Sequence, residues 1–304
     1  MTIFIAACSP NLKLPGKIVM DAKLTEKAVI TPDGTELPLH MWSNTEKPQA
    51  ILLALHGFND YGTFIKDAAT FLGARGVKVY SYDQRGFGRT PHQGFWPGKK
   101  AFAHDLIIAT RLLTKHHPGI PLYLLGSSMG GAVVMTAMTS DDPPLVTGTI
   151  LVAPAVWGRN TMPFYQRWAL ALAVRIIPWF KLSARGLNIK ASNNTEMLRA
   201  LGQDPLVIKE TRVDTLWGLV NLMDTALEAS MRFDARALIL YGKNDQIIGN
   251  YPTDLLLSRL PVSAKKRQTI KFYQGGYHML LRDLEGKTVW RDILNWIRTT
   301  SLAR

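Results

Sequence analysis

Three side chains in this sequence combine into a nucleophile, a base and an acid. Ser128 is the central residue of Gly126-Ser127-Ser128-Met129-Gly130, a G-x-S-x-G pattern. A serine hydroxyl is a weak nucleophile until a base takes its proton. Among seven histidines, His278 in "GGYHMLLRD" follows two glycines that let its loop turn. An imidazole there needs an acid to orient it, and Asp245 in "YGKNDQIIG" precedes it. A carbonyl under attack also needs two preorganised N–H donors. Met129, directly after the nucleophile, offers one. Phe58, in His56-Gly57-Phe58, offers the other. His56 reads as a structural residue that holds this loop, not as a second base. Each residue also has a plainer role open to it: Ser128 as a helix cap, Asp245 as a turn residue, His278 as a satisfied loop histidine.

The elements around these residues separate the readings. "AILLALHG" (50–57) is a continuous apolar run, as a strand buried on both faces requires. "GVKVYSYD" (76–83), "PLYLLGS" (121–127) and "GTILVAP" (148–154) are further strands, and helices are predicted over 62–75, 99–116 and 129–140. Ser128 therefore sits between a strand and a helix N-terminus, the context in which G-x-S-x-G carries chemistry. The turn is tight, so larger residues two before or two after the serine would collide with its neighbours. The dipole at the helix start favours developing negative charge. A hairpin is predicted earlier, over 26–43, around Pro32-Asp33-Gly34. After Pro154 the alternation breaks, and 157–233 shows only helical patterns. It resumes with "ALILYGKND" (237–245) and "QTIKFYQGGYH" (268–278), and a last helix is predicted over 284–299. Asp245 and His278 thus each fall at the carboxyl end of a strand.

This rhythm predicts an α/β fold: a mainly parallel central sheet flanked by helices, with a helical cap inserted at the carboxyl ends of the strands. The core covers 26–156 and 234–304, the cap 157–233, and 1–25 form an N-terminal tail.

The bulk composition narrows the function classes. The 304 residues are 47% hydrophobic and 19% charged, which describes a globular chain. The net charge of +13 is spread without a basic arm; its densest run is Lys265-Lys266-Arg267, so nucleic acid is not the expected partner. A single cysteine, Cys8, excludes an internal disulfide. No apolar run approaches the ~18 residues of a membrane-spanning helix. Ile5-Ala6-Ala7-Cys8 has the form of a bacterial lipobox, with only seven residues before the cysteine and no basic segment. If it acts, Cys8 carries a lipid and the protein is a membrane-associated lipoprotein; otherwise a cytoplasmic protein with a free thiol is expected. No metal or cofactor motif is present.

The motifs "HGFNDYG" (56–62), "YDQRGFGRT" (82–90), "GSSMGG" (126–131), "GKNDQII" (242–248) and "GGYHML" (275–280) resemble those of the α/β-hydrolase superfamily. Within it, the chain resembles the monoacylglycerol lipase and lysophospholipase group, described together with serine aminopeptidase-like hydrolases. Asp204-Pro205-Leu206 is similar to a short motif in that group's lid. The resemblance implies acyl transfer through a covalent intermediate on Ser128, with His278 as base, Asp245 as its orienting acid and no cofactor. It implies a small-molecule ester substrate, an acyl lipid, with peripheral membrane contact through the cap or through Cys8. Ser127 stands where the lipases carry histidine; it is expected to shape the pocket floor. "MPFYQRWALALAVRIIPWFKL" (162–182) reads as a lid helix lining an acyl tunnel, with Arg167, Arg175 and Lys181 suited to an anionic interface. "VDTLWGLVNLMDTALEASM" (213–231) reads as a core-facing helix whose methionines pack rather than touch substrate.

Two other classes compete with the esterase. An amidase or peptidase would hold its substrate's amino group on a cap carboxylate, for which Glu196, Glu210, Asp214 and Glu228 are candidates. A membrane-tethered binding protein would need no working nucleophile.

Overall fold

The computed structural model describes residues 9–43, 45–183 and 186–302. Cys8 lies outside the described residues. The chain opens with strand β1 (Lys23–Leu24), then β2 (Ala28–Ile30) and β3 (Glu36–Trp42). β2 and β3 pair antiparallel around the Pro32-Asp33-Gly34 turn, as the hairpin expectation requires. Alternation follows: β4 (Ala50–Leu55), α1 (Lys66–Gly73), β5 (Val77–Tyr82), α2 (Ala101–His116), β6 (Leu122–Ser127), α3 (Met129–Met138) and β7 (Gly148–Val152). The inserted region holds α4 (Phe164–Ile176), β8 (Lys181–Ser183), α5 (Thr195–Gln203), β9 (Glu210–Arg212) and α6 (Val213–Ala229). The core closes with β10 (Ala237–Gly242), α7 (Asn250–Arg259), β11 (Gln268–Tyr273) and α8 (Gly286–Leu302).

The nine core strands form one sheet in the order β1-β2-β3-β5-β4-β6-β7-β10-β11. Every pair from β5 to β11 is parallel. β4 shows why an unbroken apolar run belongs in the middle. All six of its residues are buried, and successive side chains go to opposite faces. Ile51, Leu53 and Leu55 join the core under α2, α3 and α6. Ala50, Leu52 and Ala54 join the core under α1 and α8. α6 enters the first of these cores through Leu219, Val220, Leu222, Met223, Ala226 and Leu227, the face its i, i+3, i+4 spacing predicts.

Two features differ from the sequence expectations. The inserted region is not purely helical, because β8 and β9 pair antiparallel. Each is three residues long, too short for a period of two to register, and the partners are far apart in sequence. α7 was not expected either; Pro252 falls in its first turn, where a missing N–H costs nothing. The described part of the N-terminal tail does not hang free. Its amides find acceptors on the body: Lys13 on the Trp96 carbonyl (2.9 Å), Gly16 on Asp33 Oδ2 (2.9 Å) and Val19 on the Pro32 carbonyl (2.8 Å).

Candidate active site

β6 delivers Ser128 into a left-handed backbone, φ 52° and ψ −115°. For a residue with a side chain such a conformation costs about 1–3 kcal/mol and persists only where its surroundings impose it. Here they do. The Ser128 amide donates to the Val152 carbonyl (2.9 Å), and the Ser128 carbonyl accepts from Ala155 (2.9 Å) and Ala132 (3.2 Å). The flanking glycines are sterically required: a Cβ on Gly126 would strike the Gly130 carbonyl, and one on Gly130 would strike the Leu55 carbonyl.

The structure brings Ser128, His278 and Asp245 together. The Ser128 hydroxyl lies 2.9 Å from His278 Nε2, and His278 Nδ1 lies 2.8 Å from Asp245 Oδ2. An ionised carboxylate only accepts hydrogen bonds, so Nδ1 carries the proton and Nε2 is left to accept from the serine. Asp245 is fixed in turn. Its Oδ1 accepts from the amides of Ile247 (2.8 Å) and Ile248 (2.9 Å). Both members of this pair are buried, with side-chain exposures of 7% for His278 and 3% for Asp245.

The loop after β4 closes the other side. Gly57 packs so closely that a Cβ there would meet Ser128 Cβ at 3.3 Å. The next amide in the chain is that of Phe58, which lines the same cavity as Ser128. Among the described residues neither the Phe58 nor the Met129 amide donates to another group. His56 occupies the structural role expected of it. It is fully buried; Nδ1 bonds the Gly57 carbonyl (2.8 Å) and Nε2 accepts from the Gln84 amide (3.0 Å). Burial holds its pKa below the ordinary histidine value, which keeps Nε2 free to accept.

Sequence reasoning missed two supports. Asp283 Oδ2 accepts from the Tyr277 amide (2.7 Å), which braces the His278 loop, and its Oδ1 accepts from Ser192 of the inserted region (2.5 Å). Asp60 pairs with Arg282 (2.9 Å) at the rim of the cavity. Neither lies in a spacing that marks it, since the partners meet only in three dimensions.

Ser127 and Ser128 open onto a cavity of about 720 Å³. Its far wall is apolar: Leu170 and Ala173 from α4, and Leu216, Leu219, Val220 and Met223 from α6. Met223 packs in the core and also borders the cavity. The Ser127 hydroxyl has no partner among the described residues. None of Glu196, Glu210, Asp214 and Glu228 lines the cavity. Asp214 is instead paired with Arg212 (2.6 Å) and accepts from the Asn11 amide (3.1 Å). α4 buries only Val174 fully, and Phe164, Tyr165, Trp168, Leu172 and Ile176 remain exposed.

A mostly parallel sheet, a strained serine between strand and helix, and a histidine and aspartate on the next strand ends define an α/β-hydrolase. Comparison with known proteins agrees. The family model described as "Serine aminopeptidase, S33" matches residues 46–285, and the chain belongs to that family. It is 24% identical over 276 residues to the monoglyceride lipase of Homo sapiens, spanning 88% of this chain and 89% of the relative. It is 26% identical over 275 residues to the monoacylglycerol lipase of Mycolicibacterium smegmatis, spanning 87% and 93%. The fold is similar to that of a soluble variant of monoglyceride lipase from Saccharomyces cerevisiae, solved with a substrate analogue. That TM-score is 0.76 at 20% identity, covering 94% of this chain and 98% of the other.

Proposed function

We propose that the protein hydrolyses carboxylic esters, monoacylglycerol foremost, through an acyl-enzyme on Ser128. The observation that carries this reading is the hydrogen-bonded set Ser128–His278–Asp245 opening onto a largely apolar cavity of about 720 Å³. His278 Nε2 takes the Ser128 proton as Oγ attacks the ester carbonyl. The amides of Phe58 and Met129 receive the oxyanion, and Asp245 stabilises the imidazolium. The proton then passes from His278 to the departing alcohol. Water repeats the sequence on the acyl-enzyme and releases the fatty acid.

Among acyl lipids, lysophospholipid shares the chain that the cavity wall would hold and is the second substrate to test. Similarity to a monoglyceride lipase and a monoacylglycerol lipase favours monoacylglycerol. A peptidase is disfavoured because no candidate cap carboxylate reaches the cavity. The exposed apolar face of α4, with Arg167, Arg175 and Lys181 near it, supports docking on an anionic membrane surface. A lipid on Cys8 would add a second anchor; intact-mass analysis of natively expressed protein reports it.

The test of the activity is a fluorophosphonate probe combined with esters of rising chain length. Labelling is expected in the wild type and in Ser127→Ala and lost in Ser128→Ala, with long-chain glyceryl esters turned over. Labelling that survives in Ser128→Ala, or turnover confined to acetyl esters, would overturn the reading.

A further inference from the structure

The loop that carries the Phe58 amide is held from two sides. On the core side, His56 Nδ1–H donates to the Gly57 carbonyl, which shares a peptide plane with the Phe58 N–H. On the other side the grip comes from the inserted region. Asn59, directly after Phe58, has φ 65°, a left-handed conformation that asparagine tolerates better than most residues. Its Nδ2 donates to Thr211 Oγ1 in β9 (2.7 Å), and its carbonyl accepts from the Ile208 amide (3.0 Å). Asn59 Oδ1 is buried without a partner, so Thr211 makes the one hydrogen bond of that side chain among the described residues. Two residues on, the Tyr61 hydroxyl donates to Asp204 Oδ2 (2.8 Å). This contact gives the Asp204-Pro205-Leu206 stretch a physical role. The chain of contacts continues outward: β9 pairs with β8, Thr211 opposite Leu182, and β8 follows α4 across Pro178.

We propose that Asn59 and Thr211 are positioning residues through which the cap sets the Phe58 amide, so that the oxyanion donor is complete only when the cap is seated. This rests on the assignment of that amide as an oxyanion donor. The core holds Gly57, the Asp60 amide on the Gly57 carbonyl (3.3 Å) and the Gly62 amide on Asp83 Oδ1 (2.8 Å), while the hydrogen bonds of Asn59, directly after Phe58, go to the cap. A donor displaced by a fraction of an ångström loses much of its effect on the transition state. The consequence concerns substrates that never touch the cap. An acetyl group offers the α4 and α6 walls almost no chain to hold, yet on this proposal its turnover depends on Thr211.

The experiment measures kcat and KM for p-nitrophenyl acetate and the rate of Ser128 labelling by a fluorophosphonate, whose phosphoryl oxygen occupies the same donors. Thr211→Val removes the acceptor with little change of shape. Asn59→Gly keeps the left-handed backbone and removes the tether. Each is expected to lower acetate kcat and the labelling rate about 10- to 100-fold with KM changed by no more than about twofold. The double variant is expected to be no slower than the slower single one, because both remove the same bond. Thr211→Ser, which keeps the hydroxyl, is expected to retain the wild-type rate. The proposal fails if Thr211→Val hydrolyses acetate at the wild-type rate and loses only long-chain turnover, or if Thr211→Ser is as slow as Thr211→Val. A wild type that takes the probe but hydrolyses no ester sinks the esterase reading alone, since the labelling rates of the variants still decide the coupling.

Discussion

Asp245 uses its two oxygens differently, and that difference makes its substitution informative. Oδ1 accepts from two backbone amides and Oδ2 from His278. In Asp245→Asn the amides of Ile247 and Ile248 hold the remaining oxygen, which turns the NH2 group toward His278 Nδ1. The imidazole must then accept at Nδ1 and carry its proton on Nε2, facing the serine it should deprotonate. The expected result is a fall in kcat of about 10⁴ on any ester, with the fold intact. Steady-state kinetics beside a thermal melt checks it; a kcat within tenfold of wild type would remove Asp245 from the relay. At this scale the local backbone requirement at Ser128 was legible in the sequence. The glycines around Ser128 are dictated by contacts with Gly130 and Leu55, and such steric needs leave a local pattern. Asp283 and Arg282 left none, because what they brace is set by loop packing.

Between residues and the whole lies α4, whose apolar side chains the structure divides between two surroundings. Leu170 and Ala173 face the cavity, while Trp168 and Leu172 are 70% and 61% exposed. Exposed apolar side chains of this size beside basic residues are suited to the boundary of an anionic bilayer. Trp168→Gln and Leu172→Gln should leave folding within about 0.5 kcal/mol of wild type, as surface changes do. Hydrolysis of a dissolved short ester should persist. Co-sedimentation with anionic vesicles and turnover of ester embedded in them should both fall. Equal vesicle binding by wild type and variants would argue against docking through this face. The helical period predicted that α4 exists, but not its partition between cavity and surface, because that depends on where α6 and the β8–β9 pair set it.

Over the whole molecule, acid acts on several buried groups at once. Burial lowers the pKa of His56, and burial with the nearby charges of His116 and Lys78 lowers that of His117 to about 4. A histidine depressed in the fold binds its proton more readily when unfolded, so stability is lost as pH falls below about 6.5. Asp105 works the other way. Burial raises it to about 6 in spite of Arg85, so its protonation over the same range favours the fold. His117 can be isolated because among the described residues its side chain makes one hydrogen bond, accepting at Nε2 from the Tyr80 hydroxyl (2.8 Å). His117→Gln is expected to retain an acceptor for Tyr80 and to flatten the loss of stability between pH 7 and pH 5. Urea melts at the two values measure it; parallel losses in both proteins would show that His117 does not contribute.

Legible in the chain itself were strands β2 to β7, β10 and β11, helices α1 to α4, α6 and α8, the tight turn at Ser128 and the candidates Asp245 and His278. Each of these is written locally, in apolar period, in glycine spacing or in position after a strand. The tertiary structure decided what joins distant segments. It paired β8 with β9, laid residues 13–19 along the core, and tied Asn59 to Thr211 and Tyr61 to Asp204. The physical reason is that a hydrogen bond between remote segments constrains two residues in space and imposes no period on the chain between them.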